Sequence, residues 1–145
     1  MIEKILKRIE ENKQFGNANI KVVPKDWGRE LWVVNHDYYC GKFLEIKKGW
    51  CSSLHNHDTK DETFLLYRGL LSMEHPKNYW FMEPGNVQRI KPGETHRFTA
   101  LKHSVIIEFS THHDDADTIR HEWGKPVDVS DLLKKYRAFK FSKDY

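Results

Sequence analysis

His55, Asn56 and His57 set two imidazoles one residue apart, and Glu62 follows five residues after the second. Side chains alternate along an extended strand, so His55 and His57 share one face there and Asn56 takes the other. A turn over Asp58-Thr59-Lys60-Asp61 then carries Glu62 onto the next strand, where its carboxylate can close on the same point. His96, within Pro92-Gly93-Glu94-Thr95-His96, is the candidate fourth member. Three imidazoles and one carboxylate suit one divalent transition metal (Mn, Fe, Zn, Ni or Co) better than Ca or Mg, which take oxygen ligands throughout. No thiolate takes part, which argues against a structural zinc site built on cysteine. Nine histidines in 145 residues make a chance H-x-H easy to find. Gly49 and Gly69 at either end, the carboxylate and the later Pro-Gly-x-x-His set this one apart.

The elements that must position these groups read as short strands. Ile20–Val23 and Arg29–Asn35 flank the turn Pro24-Lys25-Asp26-Trp27-Gly28. From Tyr38 onward the chain reads as Lys42–Lys47, Ser52–His57, Thr63–Tyr67, Leu70–Glu74, Trp80–Met82, Asn86–Ile90, His96–Leu101 and Ser104–Phe109, with turn residues between them. Short strands at this spacing predict an all-β sandwich or barrel. Gly69, Pro84-Gly85 and Pro92-Gly93 fall where hairpins must reverse. Ile2, Ile5, Leu6 and Ile9 recur at helical spacing within residues 1–15, predicting a short amphipathic helix that Gly16-Asn17-Ala18-Asn19 ends. The stretch Asp114–Arg120 is polar and reads as loop. Ser130 is a helix N-cap candidate, with an acid in the first turn and lysines after it, so a C-terminal helix is expected as an outer cover. The resulting division is an N-terminal helix over 1–16, a β-barrel over 17–124 and a helical extension over 125–145.

Composition narrows the function. The formal charge is +3, from 24 Lys and Arg against 21 Asp and Glu, with no long basic run, so nucleic-acid binding has little support. Cys40 and Cys51 make no disulfide framework, the start Met1-Ile2-Glu3-Lys4 lacks a signal-peptide core, and the apolar runs are too short to span a membrane. A cytoplasmic protein acting on a small molecule is expected, with a homodimer as its assembly because a partner strand can cover an open sheet edge.

Gly49, His55, His57, Glu62 and Gly69 match the first motif of the cupin superfamily, G-x5-H-x-H-x4-E-x6-G. Gly85, Gly93 and His96 keep the spacing of the second, although Pro92 falls one place late and Ala100 stands where asparagine is usual. The resemblance implies a single jelly-roll (cupin) barrel with a bound metal. Asp26-Trp27-Gly28, Lys42 on the strand leading to Gly49, Ser53-Leu54, Ile107-Glu108-Phe109-Ser110, Asp114-Asp115 and Arg120 are similar to the cupin domain of type II mannose-6-phosphate isomerases. That family commonly has glutamine at the position of His55 and proline at that of Asp26. What the resemblance implies is a metal-dependent aldose–ketose isomerase of a sugar or sugar phosphate. Alternatives are a cupin dioxygenase using Fe or Mn, and a sugar-binding cupin without turnover.

Aldose–ketose exchange moves a proton between adjacent carbons through an enediol. It needs a base near that carbon and an electrophile on the carbonyl oxygen. Glu108 is the candidate base, since Ile106, Glu108 and Ser110 share a face, and Glu62 competes for the role. Lys42 shares its parity with Leu44 and Ile46. If that face is inward, its ammonium requires a charge partner, which a substrate oxyanion or phosphate would supply, while Glu108 could instead be ion-paired with Lys42. Arg97 and Arg120 are phosphate candidates by charge and fork geometry. His103, His112, His113 and His121 lack ligand-like partners in sequence, with His112-His113 the most interesting because they follow the Glu108 strand. Among Trp27, Trp32, Tyr39, Trp50, Tyr67, Tyr79 and Trp80, most are expected in the core and one or two at the mouth of the site.

Overall fold

In the computed structural model, residues 2–11 and 20–143 are described. The expected helix over 1–15 is described as α1 (Ile2–Glu11), and the break at 16–19 lies outside the described residues. The strands are β1 (Lys21–Lys25), β2 (Gly28–Asn35), β3 (Cys40–Ile46), β4 (Trp50–Cys51), β5 (Leu54–His57), β6 (Glu62–Arg68) and β7 (Leu71–His75). They continue as β8 (Asn78–Met82), β9 (Val87–Ile90), β10 (Arg97–Ala100), β11 (Ser104–Ser110), β12 (Thr118–Glu122) and β13 (Lys125–Pro126), before α2 (Ser130–Lys143). One sheet has the order β1-β2-β3-β11-β6-β9, a second β13-β4-β10-β7-β8, and β5 pairs with β12 alone.

A single apolar cluster draws Leu44, Ile46, Phe64, Leu66 and Ile106 from the first sheet and Met73, Met82, Phe98 and Ala100 from the second, so the two sheets pack face to face. β3 shows the period that makes this possible: Cys40, Lys42, Leu44 and Ile46 are buried while the residues between them are not. The outer face of the first sheet is covered by α1, where Ile2 and Leu6 pack on Leu31 and Val105. Burying side chains of this size contributes about 2 kcal/mol each, which fixes the helix to the sheet. At the other side α2 lays Leu132, Leu133 and Tyr136 against Leu70, Leu101 and Val129. Gly69 turns β6 into β7 with φ +103; a Cβ there would collide with Ser104 Oγ and sit 2.5 Å from the His103 carbonyl.

Several expectations need correction. Of the strand read over Ser52–His57 only Leu54–His57 forms, as β5, and the short β4 that precedes it, Trp50–Cys51, joins a different sheet. His96 precedes β10 and forms an isolated bridge to His55. Asp114–Arg120 is not a loop throughout: a 3-10 turn at Asp115–Asp117 leads into β12, which pairs with β5. Ser130 lies inside α2, and Asp128 is the residue whose carboxylate accepts from the Ser130 amide and hydroxyl. The extension after 124 opens with β13, paired to β4, before the helix begins.

Candidate metal centre and its cavity

β5 delivers His55 and His57, β6 delivers Glu62, and the turn before β10 delivers His96. Reciprocal backbone bonds between His55 and His96, at 3.1 and 2.9 Å, tie the two motifs together, and the Gly93 amide donates to the His57 carbonyl at 2.6 Å. The three rings stand close, with centroids 4.5 Å apart for His55 and His96, 5.0 Å for His55 and His57, and 6.3 Å for His57 and His96. Glu62 lies beside them, 3.8 Å from His57 Nε2 through Oε1 and 3.3 Å from His96 Nε2 through Oε2.

The imidazoles are oriented as donors. His55 Nδ1 contacts the Ser53 carbonyl at 2.9 Å and His96 Nδ1 the Glu94 carbonyl at 3.0 Å. A carbonyl only accepts, so each Nδ1 carries a proton, which in a neutral ring leaves Nε2 as the nitrogen with a lone pair. His57 Nδ1 meets Thr118 Oγ1 at 3.4 Å. Burial, together with the neighbouring His96, pushes the His55 pKa down to about 3. Burial likewise brings His57 to about 4 against the opposing pull of Glu62. Both rings are therefore neutral near pH 7, the form that binds a cation. Glu62 is held well below the usual carboxylate range: burial works the other way, but His96 and the Lys60 ammonium outweigh it. Its Oε2 is buried without a well-formed hydrogen bond.

That unsatisfied oxygen and the neutral rings fit a divalent transition metal in donor chemistry. Among the described residues, no three His, Cys, Asp or Glu side chains are drawn together as a closed metal cluster. The neighbour of Glu62 explains its placement, because Lys60 Nζ donates to Glu62 Oε1 at 2.7 Å.

The four side chains line a cavity of about 400 Å³, shared with Lys60, Glu108, Lys42, Glu30, His113, Arg120 and Trp123. Glu108 points inward at 3 % exposure, as its parity predicts. Its partner is not Lys42, although the two are opposite in the β3–β11 register. Lys60 Nζ donates to Glu108 Oε1 at 2.5 Å and Ser110 Oγ donates to the same oxygen at 3.0 Å. Glu108 Oε2 has no hydrogen bond among the described residues. Lys42 is buried, as its parity predicts, but its charge partner is the chain's own Glu30, 3.3 Å away, with the Trp32 ring 4.1 Å from Nζ. Glu30 is lowered despite its burial by Lys42 and Lys25.

The two arginines part company. Arg97 is buried and committed, donating to the Ser52 carbonyl at 3.0 Å and to Glu122 at 2.8 Å, and it does not line the cavity. Arg120 lies opposite His55 across the β5–β12 pairing, exposed, with its guanidinium 4.6 Å from the Trp123 ring centre. Trp123 is 76 % exposed, yet its backbone is anchored. Gly124 passes so close to β4 that a Cβ would sit 2.7 Å from the Cys51 carbonyl.

Sequence reasoning missed Lys60, Glu30 and Trp123. Lys60 shares parity with Glu62, and that was the available signal. His113 lines the cavity with its ring 4.7 Å from Trp32 and 6.2 Å from His57; burial and the nearby lysines lower its pKa. His112 bonds the His36 carbonyl and His121 bonds Asn56, while His103 has no part in the cavity.

No protein-family model and no curated protein sequence matches the chain. Solved structures do. An RmlC-like cupin from Shewanella frigidimarina superposes with TM-score 0.61 at 12% identity, over 71% of this chain and 92% of that one. This chain has the cupin fold. The capsular polysaccharide assembling protein CapF of Staphylococcus aureus gives TM-score 0.60 at 20% identity, covering 78% of this chain and 34% of that one. Oxalate decarboxylase of Bacillus subtilis gives 0.60 at 12%, covering 74% and 33%. This chain thus spans about a third of the length of these two neighbours. No helix among the described residues is long and apolar enough to cross a membrane.

Proposed function

We propose that this cupin is a metal-dependent aldose–ketose isomerase of a sugar or sugar phosphate, working through an enediol. The observation that carries the reading is Glu108: a buried inward carboxylate with one oxygen clamped and the other without a hydrogen bond among the described residues, lining the same cavity as His55, His57, His96 and Glu62. His55, His57, His96 and Glu62 would hold a divalent transition metal, which when bound would polarise the substrate's carbonyl oxygen.

The chain's own groups do the rest. Glu108 takes the proton from the carbon beside the carbonyl and returns it to the neighbouring carbon, so one carboxylate serves as base and then acid, while the proton of the adjacent hydroxyl passes to the former carbonyl oxygen and completes the exchange. Proton transfer by one group across one face lets label from solvent enter the product. Lys60 and Ser110 hold the carboxylate by one oxygen and leave the other to meet the substrate. Lys42 and Lys25 share Glu30 on the cavity wall, and Arg120 at the rim, without a carboxylate partner among the described residues, is the cation we assign to an anionic substituent. Trp123 presents an exposed ring beside it, suited to the apolar face of a sugar. The cavity volume suits a monosaccharide rather than a polymer.

The test is proton exchange. Wild-type protein loaded with Mn²⁺, incubated with aldose or ketose phosphates in deuterium oxide, is expected to incorporate deuterium at C2. Glu108→Gln is expected to abolish this at saturating metal. Exchange that persists in the variant makes Glu108 structural, and activity lost under anaerobic conditions would favour an oxygenase.

A further inference from the structure

Lys60 is a buried charge held between two carboxylates. It is 2 % exposed, its ammonium donates to Glu62 Oε1 at 2.7 Å and to Glu108 Oε1 at 2.5 Å, and its loop is fixed from outside. Asp117, just before β12, accepts the amides of Asp58, Thr59 and Lys60 at 3.0, 3.1 and 3.0 Å, so the turn between β5 and β6 cannot swing Lys60 out of the cavity. The consequence for Glu62 is an asymmetric carboxylate. Oε1 is engaged by Lys60, and Oε2, buried and without a well-formed hydrogen bond, faces His96 Nε2 at 3.3 Å.

We infer that Lys60 is a positioning residue that acts as a resident counter-charge: it claims one oxygen of Glu62 and one of Glu108, leaves Oε2 of Glu62 for an incoming divalent cation, and offsets the negative charge that cation would otherwise meet. Two carboxylates buried together without compensation would repel each other and destabilise the metal-free fold. With Lys60 between them the protein folds without metal, and a divalent ion must enter against a fixed ammonium. Metal affinity is thereby moderated by the chain itself. The part concerning Glu108 rests on the isomerase reading. The part concerning Glu62 rests only on the geometry.

The inference makes an opposed pair of predictions. Lys60→Met keeps the methylene stem and removes the charge, so the metal-free variant should melt at lower temperature while binding Zn²⁺ at least about 10-fold more tightly by chelator competition, because the cation now meets two uncompensated carboxylates. The Zn²⁺-induced rise in melting temperature should exceed that of wild type. A lysine that only propped up the fold would give the reverse: stability and Zn²⁺ affinity falling together. Glu108→Gln supplies a second arm should Lys60→Met not fold. It leaves Lys60 with Glu62 as its sole anion and should weaken Zn²⁺ binding several-fold. Unchanged or weaker Zn²⁺ binding in Lys60→Met, or unchanged or tighter binding in Glu108→Gln, overturns the inference. Neither arm uses a sugar. Failure of the wild-type protein to exchange a C2 proton would overturn the isomerase reading and leave the Zn²⁺ result to decide this one.

Discussion

His57 and Glu62 are where single atoms decide the behaviour of the site. His57→Ala removes one lone pair and Glu62→Gln replaces a carboxylate by a neutral amide, so each should lower the metal content of purified protein, measured by elemental analysis. Unchanged stoichiometry in both would remove these residues from the ligand set. The depressed imidazoles also set an acid limit on the metal-free protein. His55 and His57 titrate near 3 and 4 in the fold against 6.5 when exposed, so below 6.5 the unfolded chain binds protons that the folded chain refuses. Stability should be fully present above pH 6.5, fall as the pH drops through 4 and 3, and level off beneath that. Chemical denaturation at a series of pH values reads it directly, and a flat profile from pH 7 to 4 would show that the rings are not shielded as the structure places them.

At the scale of elements, the sequence made β3 and β6 readable because their alternation reflects one buried face, and the turns at Gly69 and Pro92-Gly93 marked where strands reverse. The same parity brought out His55, His57, Glu62 and Glu108. What stayed hidden was β12. Its residues, Thr-Ile-Arg-His-Glu, are mostly exposed, so no apolar period announces it, and it exists because β5 offers unpaired backbone groups. With β12 went Trp123 and the role of Asp117, both consequences of that pairing. Lys60 was hidden for a different reason: in sequence a lysine within a polar turn looks solvated, and only the return of β11 beside β6 brings Glu108 to meet it. The rim element has its own test. Trp123→Ala leaves the anchoring backbone in place and removes the ring beside Arg120, so KM for the sugar should rise several-fold with kcat within about twofold, the signature of lost binding common to ground and transition states. A fall in kcat at constant KM would move Trp123 out of the substrate's path.

For the whole molecule, the six-stranded sheet has two edge strands, and they differ in how they meet a partner. β1, at one edge of the first sheet, carries Pro24 between lysines and so lacks a donor where a neighbouring strand would need it. β9, at the other edge, is short but free of proline, with Val87 61 % exposed; Phe141 of α2 is also exposed, at 70 %. A homodimer formed through β9 would extend the six-stranded sheet and cover Val87, leaving the β5–β12 rim open for substrate. The net charge of +3 over 145 residues is small enough that self-repulsion does not oppose such a contact. Light scattering at micromolar concentration should therefore report two chains. Val87→Lys, which puts a charge on that edge without touching the cavity, should shift the population toward one chain while the fold, read by circular dichroism, is kept. A wild-type monomer would exclude a dimer, and a variant that stays dimeric would place the interface elsewhere than β9.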